Sequence, residues 1–177
     1  MRSKKIKTKP PQPPNLGNNP QQTMAQDVLG IDPGLCHTGW GVVRHAPNIP
    51  PVLKAFGTVS PPADLPIEQR LKVLLTSLQT IIQHYKPHAA CIEKTLIGRG
   101  AASSLSLSLS RGVCLAALGL YDLPTTEYLP STIKKRLTGQ GNAPKEQIRF
   151  FIQREFSIQT PLNEHEADAL AACFIKP

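Results

Sequence analysis

Two short apolar segments of the sequence each end in a carboxylate, and this pattern constrains the fold most strongly. Residues 28–32 read VLGID and residues 89–93 read AACIE, so Asp32 and Glu93 close runs that are otherwise apolar. Apolar runs placed between helical segments are typical of strands in a parallel sheet, where functional groups gather at the carboxyl ends. If the two strands are neighbours, about 4.8 Å apart, both carboxylates can share a ligand. Either acid alone is more simply a solvent-exposed strand end, and the occurrence of both favours a shared site.

A C-terminal segment, NEHEADALAACF at residues 163–174, supplies further candidate ligands. Helical spacing places His165 and Asp168, three residues apart, on one face, whereas Glu164 and Glu166 are expected to point elsewhere as solvated or N-terminal-turn acids. A His–Asp pair on a helix is commonly only a surface pair, and it gains weight if the helix crosses the ends of the two acidic strands. Three acids and a histidine favour Mg²⁺ or Mn²⁺ over zinc. Two such ions about 3.5–4 Å apart can activate a water and stabilise the leaving oxygen of a phosphodiester.

The charge of the chain favours an anionic partner, with nucleic acid as the first candidate. The 177 residues carry a net charge of +8 with a pI near 9.5. Five basic residues fall within the first nine positions: Arg2, Lys4, Lys5, Lys7 and Lys9. The remainder therefore has a charge of only +3, and a nucleic-acid site in it depends on local basic patches.

The composition divides the chain into a tail and one domain. Residues 1–26 are rich in Lys, Pro, Gln and Asn and are predicted to be a disordered basic tail, which can add non-specific affinity for phosphates. Met24 offers an alternative start just before the first strand, so the tail is expected to be dispensable. Residues 27–177 form the predicted domain. Four widely spaced cysteines, with no transmembrane-length run and no secretory signal, predict a cytoplasmic protein with no membrane association.

The hydrophobic pattern predicts a mixed α/β fold with helices on both faces of a sheet. Strands are expected at about 27–32, 38–44, 52–59, 89–94 and 125–129, with a Pro-rich connection at 46–51. Helices are expected between the third and fourth strands, ending before Pro87, and at about 101–122, 131–138, 144–156 and 163–175.

The segment 101–122 is ambiguous on its pattern alone. Ser and Leu alternate strictly from 104 to 110, which has the period of a strand, yet apolar residues also repeat at three and four over a length unusual for a strand. We interpret it as a helix. Its second apolar face is available to the core or to another chain.

Five segments of the sequence resemble the RuvC-type Holliday-junction resolvases. They read LGIDPGLCHTGWGVV, CIEK, SRG, EYLPSTIKKRLTGQGNAPKEQIR and EADALAAC, and with their spacing they cover residues 28 to 175. The resemblance implies a ribonuclease-H-like fold with a mixed five-stranded sheet. It also implies a homodimeric endonuclease that resolves four-way DNA junctions by paired symmetric nicks in DNA recombination and repair. Such an enzyme uses Mg²⁺, for which Mn²⁺ can substitute, with two ions per site, and works with a junction branch-migration complex.

The resemblance also assigns roles to residues of the metal site. The metal-binding acids of the family fall on Asp32, Glu93 and Asp168. The fourth position falls on His165, where many members have Asp and some have His, and this suggests that Mn²⁺ serves at least as well as Mg²⁺. The resemblance gives Lys145 a catalytic role in stabilising charge at the scissile phosphate.

Contacts to DNA are likewise carried over by resemblance. Lys134, Arg111 and Arg99 are expected to bind the DNA backbone. Many family members have an aromatic residue three positions after the Glu that stacks on an unpaired base; this chain has Leu96, which can wedge but cannot stack in the same way. The helix at 101–122 is expected to form the dimer interface.

Three other classes compete with the nuclease. A phosphotransferase of the actin and sugar-kinase type also begins with a Gly-Ile-Asp-x-Gly strand, but it needs a second domain and further phosphate motifs. A junction-binding module without catalysis is opposed by the intact Asp32, Glu93 and Asp168. An RNA-processing nuclease of the same fold is less favoured by the EADALAA helix and by the dimer-like helix.

Overall fold

The computed structural model describes residues 24–94 and 101–175, with side chains from residue 104 onward in the second range. Its elements in chain order are β1 (Gln26–Asp32), β2 (Thr38–Ala46), β3 (Ile49–Val59), α1 (Ile67–Tyr85), β4 (Ala89–Glu93), α2 (Ala101–Gly119), β5 (Thr125–Tyr128), α3 (Pro130–Thr138), α4 (Lys145–Glu155) and α5 (Glu164–Phe174). The segment with Ser-Leu alternation is therefore a helix. Most of the predicted tail lies outside the described residues, as do Leu96 and Arg99.

The five strands form one mixed sheet in the order β3-β2-β1-β4-β5. β1 pairs antiparallel with β2, and β2 with β3, whereas β1–β4 and β4–β5 are parallel. The register of β1 on β4 pairs Ile31 with Ile92. The next residue on each strand is an acid, so Asp32 and Glu93 lie side by side at one edge of the sheet.

Helices cover both faces of the sheet, as predicted. Because side chains alternate along a strand, Leu29 and Ile31 of β1 point to the face covered by α1 and α2, whereas Val28 points to the face covered by α3, α4 and α5. Asp32 shares the second face with Val28. None of the helices in the described ranges is long and apolar enough to cross a membrane.

The prediction of a Pro-rich connection at 46–51 is wrong. β2 continues to Ala46, a two-residue turn follows, and β3 begins at Ile49. Asn48 occupies the left-handed region with φ 59°, which asparagine tolerates well. The two prolines after Ile49 are accommodated because β3 is the outermost strand, where a missing N–H need not interrupt the sheet.

A partly buried ion pair lies at the start of β1. The carboxylate of Asp27, which is 6% exposed, accepts hydrogen bonds from Arg44 Nε at 2.7 Å and Nη2 at 2.8 Å across the β1–β2 pair. The Asp27 backbone N–H donates to His88 Nδ1, and the His88 backbone N–H donates to the Asp27 backbone carbonyl. The hydrogen bonds from Arg44 are the largest reason that the pKa of Asp27 lies below its ordinary value of 3.8.

We expect Asp27→Asn to lower the free energy of unfolding by about 1–3 kcal/mol at neutral pH, because the buried carboxylate that accepts both hydrogen bonds from Arg44 is replaced by a neutral amide with only one acceptor oxygen. A carboxyl with a lowered folded-state pKa stabilises the fold above its unfolded pKa, and this contribution is lost as the pH falls through the folded pKa. The deficit of the variant should therefore be constant from about pH 7 to about pH 5 and shrink as the pH falls below the ordinary pKa of 3.8. Denaturant unfolding across this range measures it. Asp64→Asn, at an exposed position, is the control, and an equal loss in both variants would contradict the prediction.

Candidate active site

Helix α5 lies directly against the backbone of β1 and β2. A Cβ atom added to Gly30 would overlap the carbonyl oxygen of Ala169, and one added to Gly39 would overlap that of His165. Gly41, the cross-strand partner of Gly30, faces the Leu170 side chain in the same way. Three glycines on one face of two paired strands thus form a platform without side chains. The sequence analysis assigned no role to these glycines, although they occupy alternating positions that share one face.

The first turn of α5 is anchored to the end of β3. Asn163 caps the helix by accepting from the Glu166 N–H at 2.9 Å, while Glu166 Oε2 accepts from the Asn163 N–H at 3.1 Å. The Thr58 hydroxyl of β3 donates to Glu166 Oε1 and accepts from Asn163 Nδ2. Glu166 is therefore an acid of the N-terminal turn, as predicted, and it fixes the position from which α5 crosses the sheet.

The structure brings Asp32, Glu93, His165 and Asp168 together. Asp32 and Glu93 end adjacent parallel strands, and His165 Nδ1 lies 2.8 Å from Asp32 Oδ2. Burial, followed by the carboxylates of Asp32 and Asp168, raises the pKa of Glu93 to about 8. The three acids thus act on one another electrostatically. We refer to these four residues as the acidic cluster.

The pKa values of the two helix residues also reflect this crowding. Burial and then the Asp32 carboxylate raise the pKa of Asp168, against the opposing effect of Lys145. The hydrogen bond to Asp32 is the main reason that the pKa of His165 is raised. Because an ionised carboxylate can only accept, His165 Nδ1 carries the proton in this contact, and Nε2 is left for another partner.

Two basic side chains lie beside the acidic cluster. Lys145, the first residue of α4, has its Nζ 3.4 Å from Asp168 Oδ2 and 2.9 Å from Glu164 Oε2. Lys134 of α3 lines a cleft of about 220 Å³ together with Glu93, Lys145 and Asp168. Both predicted lysines therefore face the cluster.

The prediction for Glu164 is correct in part. It lies in the first turn of α5 and is half exposed, but its carboxylate bonds to Lys145 instead of pointing away from the site. The contact between Glu164 and Lys145 was not predicted because helical spacing on α5 cannot show where a side chain of α4 will lie.

The remaining predicted residues lie away from the cluster or cannot be placed. Arg111 of α2 pairs with Glu127 of β5 and belongs to the helix layer on the other face of the sheet. Leu96 and Arg99 lie outside the described residues.

The structure adds one histidine that the sequence analysis did not single out. The His37 ring lies 5.6 Å from the His165 ring, and His37 Nδ1 is 2.9 Å from Ser60 Oγ. The turn that carries His37 is closed by the Thr38 hydroxyl, which donates to the Gly34 carbonyl. The available signal was the position of His37 in the turn directly after the strand of Asp32.

In their present positions, no three acidic, histidine or cysteine side chains of residues 24–94 and 101–175 are grouped so that they could hold a metal ion. Two of the three carboxylates are instead engaged by His165 and Lys145. The donor set itself, three carboxylates and one imidazole, is rich in the oxygen ligands that Mg²⁺ and Mn²⁺ prefer. The mutual repulsion that raises the pKa of Glu93 is of the kind that a divalent cation removes.

The mixed five-stranded sheet, with acids at the ends of two central parallel strands and a C-terminal helix across them, defines a ribonuclease-H-like protein. The family model described as crossover junction endodeoxyribonuclease RuvC matches residues 28–175. The chain belongs to this family.

Individual relatives agree with this assignment. The crossover junction endodeoxyribonuclease RuvC of Hyphomonas neptunium is 38% identical over 144 residues, which is 81% of this chain and 86% of the relative. The structure of T. thermophilus RuvC in complex with Holliday junction substrate has a TM-score of 0.78 at 26% identity, covering 84% of this chain and 91% of that one. The yeast mitochondrial Holliday junction resolvase Ydc2, with a TM-score of 0.63 at 10% identity over 83% of this chain and 77% of that one, shares the fold. The predicted family, fold and enzyme class are confirmed.

We expect Gly39→Ala to destabilise the protein by about 1–3 kcal/mol, because the added methyl group must displace α5 from β2. The same displacement should break the contact between His165 and Asp32, which NMR of the imidazole nitrogens would detect. Gly119→Ala is the control, because a Cβ there meets no atom within 4 Å. Equal unfolding free energies in the two variants would show that the close approach of α5 is not needed.

Proposed function

We propose that the chain is a structure-selective DNA endonuclease that resolves Holliday junctions by paired symmetric nicks. The observation that carries the proposal is the convergence of Asp32, Glu93 and Asp168 beside Lys145 in a member of the RuvC family. The T. thermophilus relative, solved with a Holliday junction substrate, supports the choice of DNA.

The acidic cluster fits divalent cations. Asp32, Glu93 and Asp168 would provide oxygen ligands, with His165 as a fourth ligand. Mg²⁺, for which Mn²⁺ can substitute, suits this set. Two such ions, when bound, supply an activated water and stabilise the leaving oxygen of the phosphodiester.

The protein side chains then have separate roles. Asp32 orients the imidazole of His165 by accepting from Nδ1. The ammonium of Lys145 borders the carboxylates and would stabilise negative charge that develops on the phosphate. Lys134, which lines a cleft together with Lys145, would hold the DNA backbone.

Paired nicks require two sites, and we propose that the protein is a homodimer. The exposed side chains of Leu105 (62% exposed) and Leu109 (36% exposed) on α2 support an interface on that helix. Arg111, Arg99 and Leu96 stay predicted DNA contacts, and residues 1–26 a predicted basic tail. We further propose a branch-migration complex as partner and a cytoplasmic location, which agrees with four free thiols.

The decisive experiment is cleavage of a synthetic four-way junction, beside linear duplex and single strands, in Mg²⁺ and in Mn²⁺. We expect symmetric cuts in the junction and a loss of at least about a hundredfold in Asp32→Asn, with binding retained, since the variant removes a metal ligand and preserves the fold. Asp64→Asn should cut normally. Intact junctions in both metals would exclude the nuclease.

Junction binding should weaken steeply with salt, because phosphate contacts release counterions. We expect Lys134→Met to lower the affinity and to reduce the slope of log K against log salt by about one phosphate contact. Lys72→Met, at an exposed position on α1 on the opposite face, is the matched control. Equal slopes for wild type and Lys134→Met would remove Lys134 from the DNA interface.

A further inference from the structure

One carboxylate at the start of α5 faces two residues of the proposed site. Glu164 Oε2 lies 2.9 Å from Lys145 Nζ, and Glu164 Oε1 lies 4.0 Å from His165 Nε2. Lys145 is closer to Glu164 than to Asp168, at 3.4 Å. The lysine proposed to act on the phosphate is therefore neutralised by a residue outside the acidic cluster.

A phosphate and Glu164 would compete for the same donor. Both are anions that accept hydrogen bonds from the Lys145 ammonium. Glu164 and Lys145 are 54% and 56% exposed, and an ion pair with such exposed partners is weak because water screens both charges. A pair of this strength holds the lysine in the free protein but can be displaced by an incoming phosphate.

A second cation is positioned to receive the released carboxylate. Arg149 lies one turn after Lys145 on α4 and lines the same cleft, of about 280 Å³, as Glu164 and Asp168. Its positive charge contributes to lowering the pKa of Glu164, after the larger effects of Lys145 and His165. Movement of the Glu164 side chain from Lys145 towards Arg149 would leave the carboxylate paired.

We propose that Glu164 is an anionic latch: it holds Lys145 in the DNA-free protein and is displaced by a phosphate of the bound junction strand. The latch lowers the affinity for DNA in general and releases Lys145 only where a phosphate reaches the site. This inference rests on the proposed nuclease function and adds to it a residue that controls access to Lys145.

The test is junction binding by Glu164→Gln in the presence of EDTA, so that binding is measured without cutting. The amide keeps the size of the side chain and removes its charge. We expect the dissociation constant to fall about two- to fivefold at low salt, and the slope of log K against log salt to steepen by up to about one contact, because an unpaired lysine becomes available. In a Lys145→Met background, Glu164→Gln should give no gain in affinity for the junction. A structural effect of Glu164 would instead persist in that background.

Glu146→Gln is the matched control. Glu146 is adjacent to Lys145 and lines the same cleft, but in the described part of the chain its carboxylate forms no ion pair with that lysine. An equal gain in Glu146→Gln would show a general field effect and would overturn the latch. Thermal unfolding of each variant shows whether a change in binding reflects a change in folding. Glu164→Ala is a second variant, for which we expect the same gain in affinity.

Failure of the latch and failure of the proposed nuclease function would give different results. If the wild type cuts junctions and Glu164→Gln binds no more tightly, the latch is wrong and the nuclease stands. If the wild type neither binds nor cuts junctions, the proposed function itself is wrong.

Discussion

The contact of α5 with the glycine platform of β1 and β2 is the interaction on which the site depends. With no side chains at Gly30 and Gly39, the helix backbone reaches the strands directly, and Gly41 leaves room for the Leu170 side chain. Asp32 is the cross-strand partner of Gly39, and the carbonyl of His165 rests on that glycine. The close approach therefore sets the distance between the strand acid and the helix imidazole, and a single methyl group there would change it.

This geometry crowds acids into a partly buried space. Asp32 and Asp168 have side chains that are 16% and 19% exposed, and Glu93, on which both act electrostatically, has a pKa of about 8. Burial and like charges both oppose the ionised state, so the cluster is unfavourable for the fold by itself. Such an arrangement is reasonable where cations are part of the working protein, and it makes the basic residues around it important.

The basic residues are divided between structure and site. Arg44 neutralises the buried Asp27, and Arg111 pairs with Glu127, both at the sheet and away from the cluster. Lys134 and Lys145 face the carboxylates. The site therefore combines lysines with carboxylates, and Glu164 adds a further negative charge beside Lys145.

The sequence alone determined the features that follow from local periodicity: the strands that end in Asp32 and Glu93, the helix that carries His165 and Asp168, and, through its motifs, the family. It did not show the two-residue turn before β3, because the acceptability of proline there depends on an edge position in the sheet. Nor did it show the glycine platform, the ion pair of Glu164 with Lys145 or the position of the His37 ring beside His165. His165 and Asp32 are 133 residues apart in the chain, and a contact at that separation depends on packing that only the tertiary structure decides, since side chains meet through the approach of whole elements.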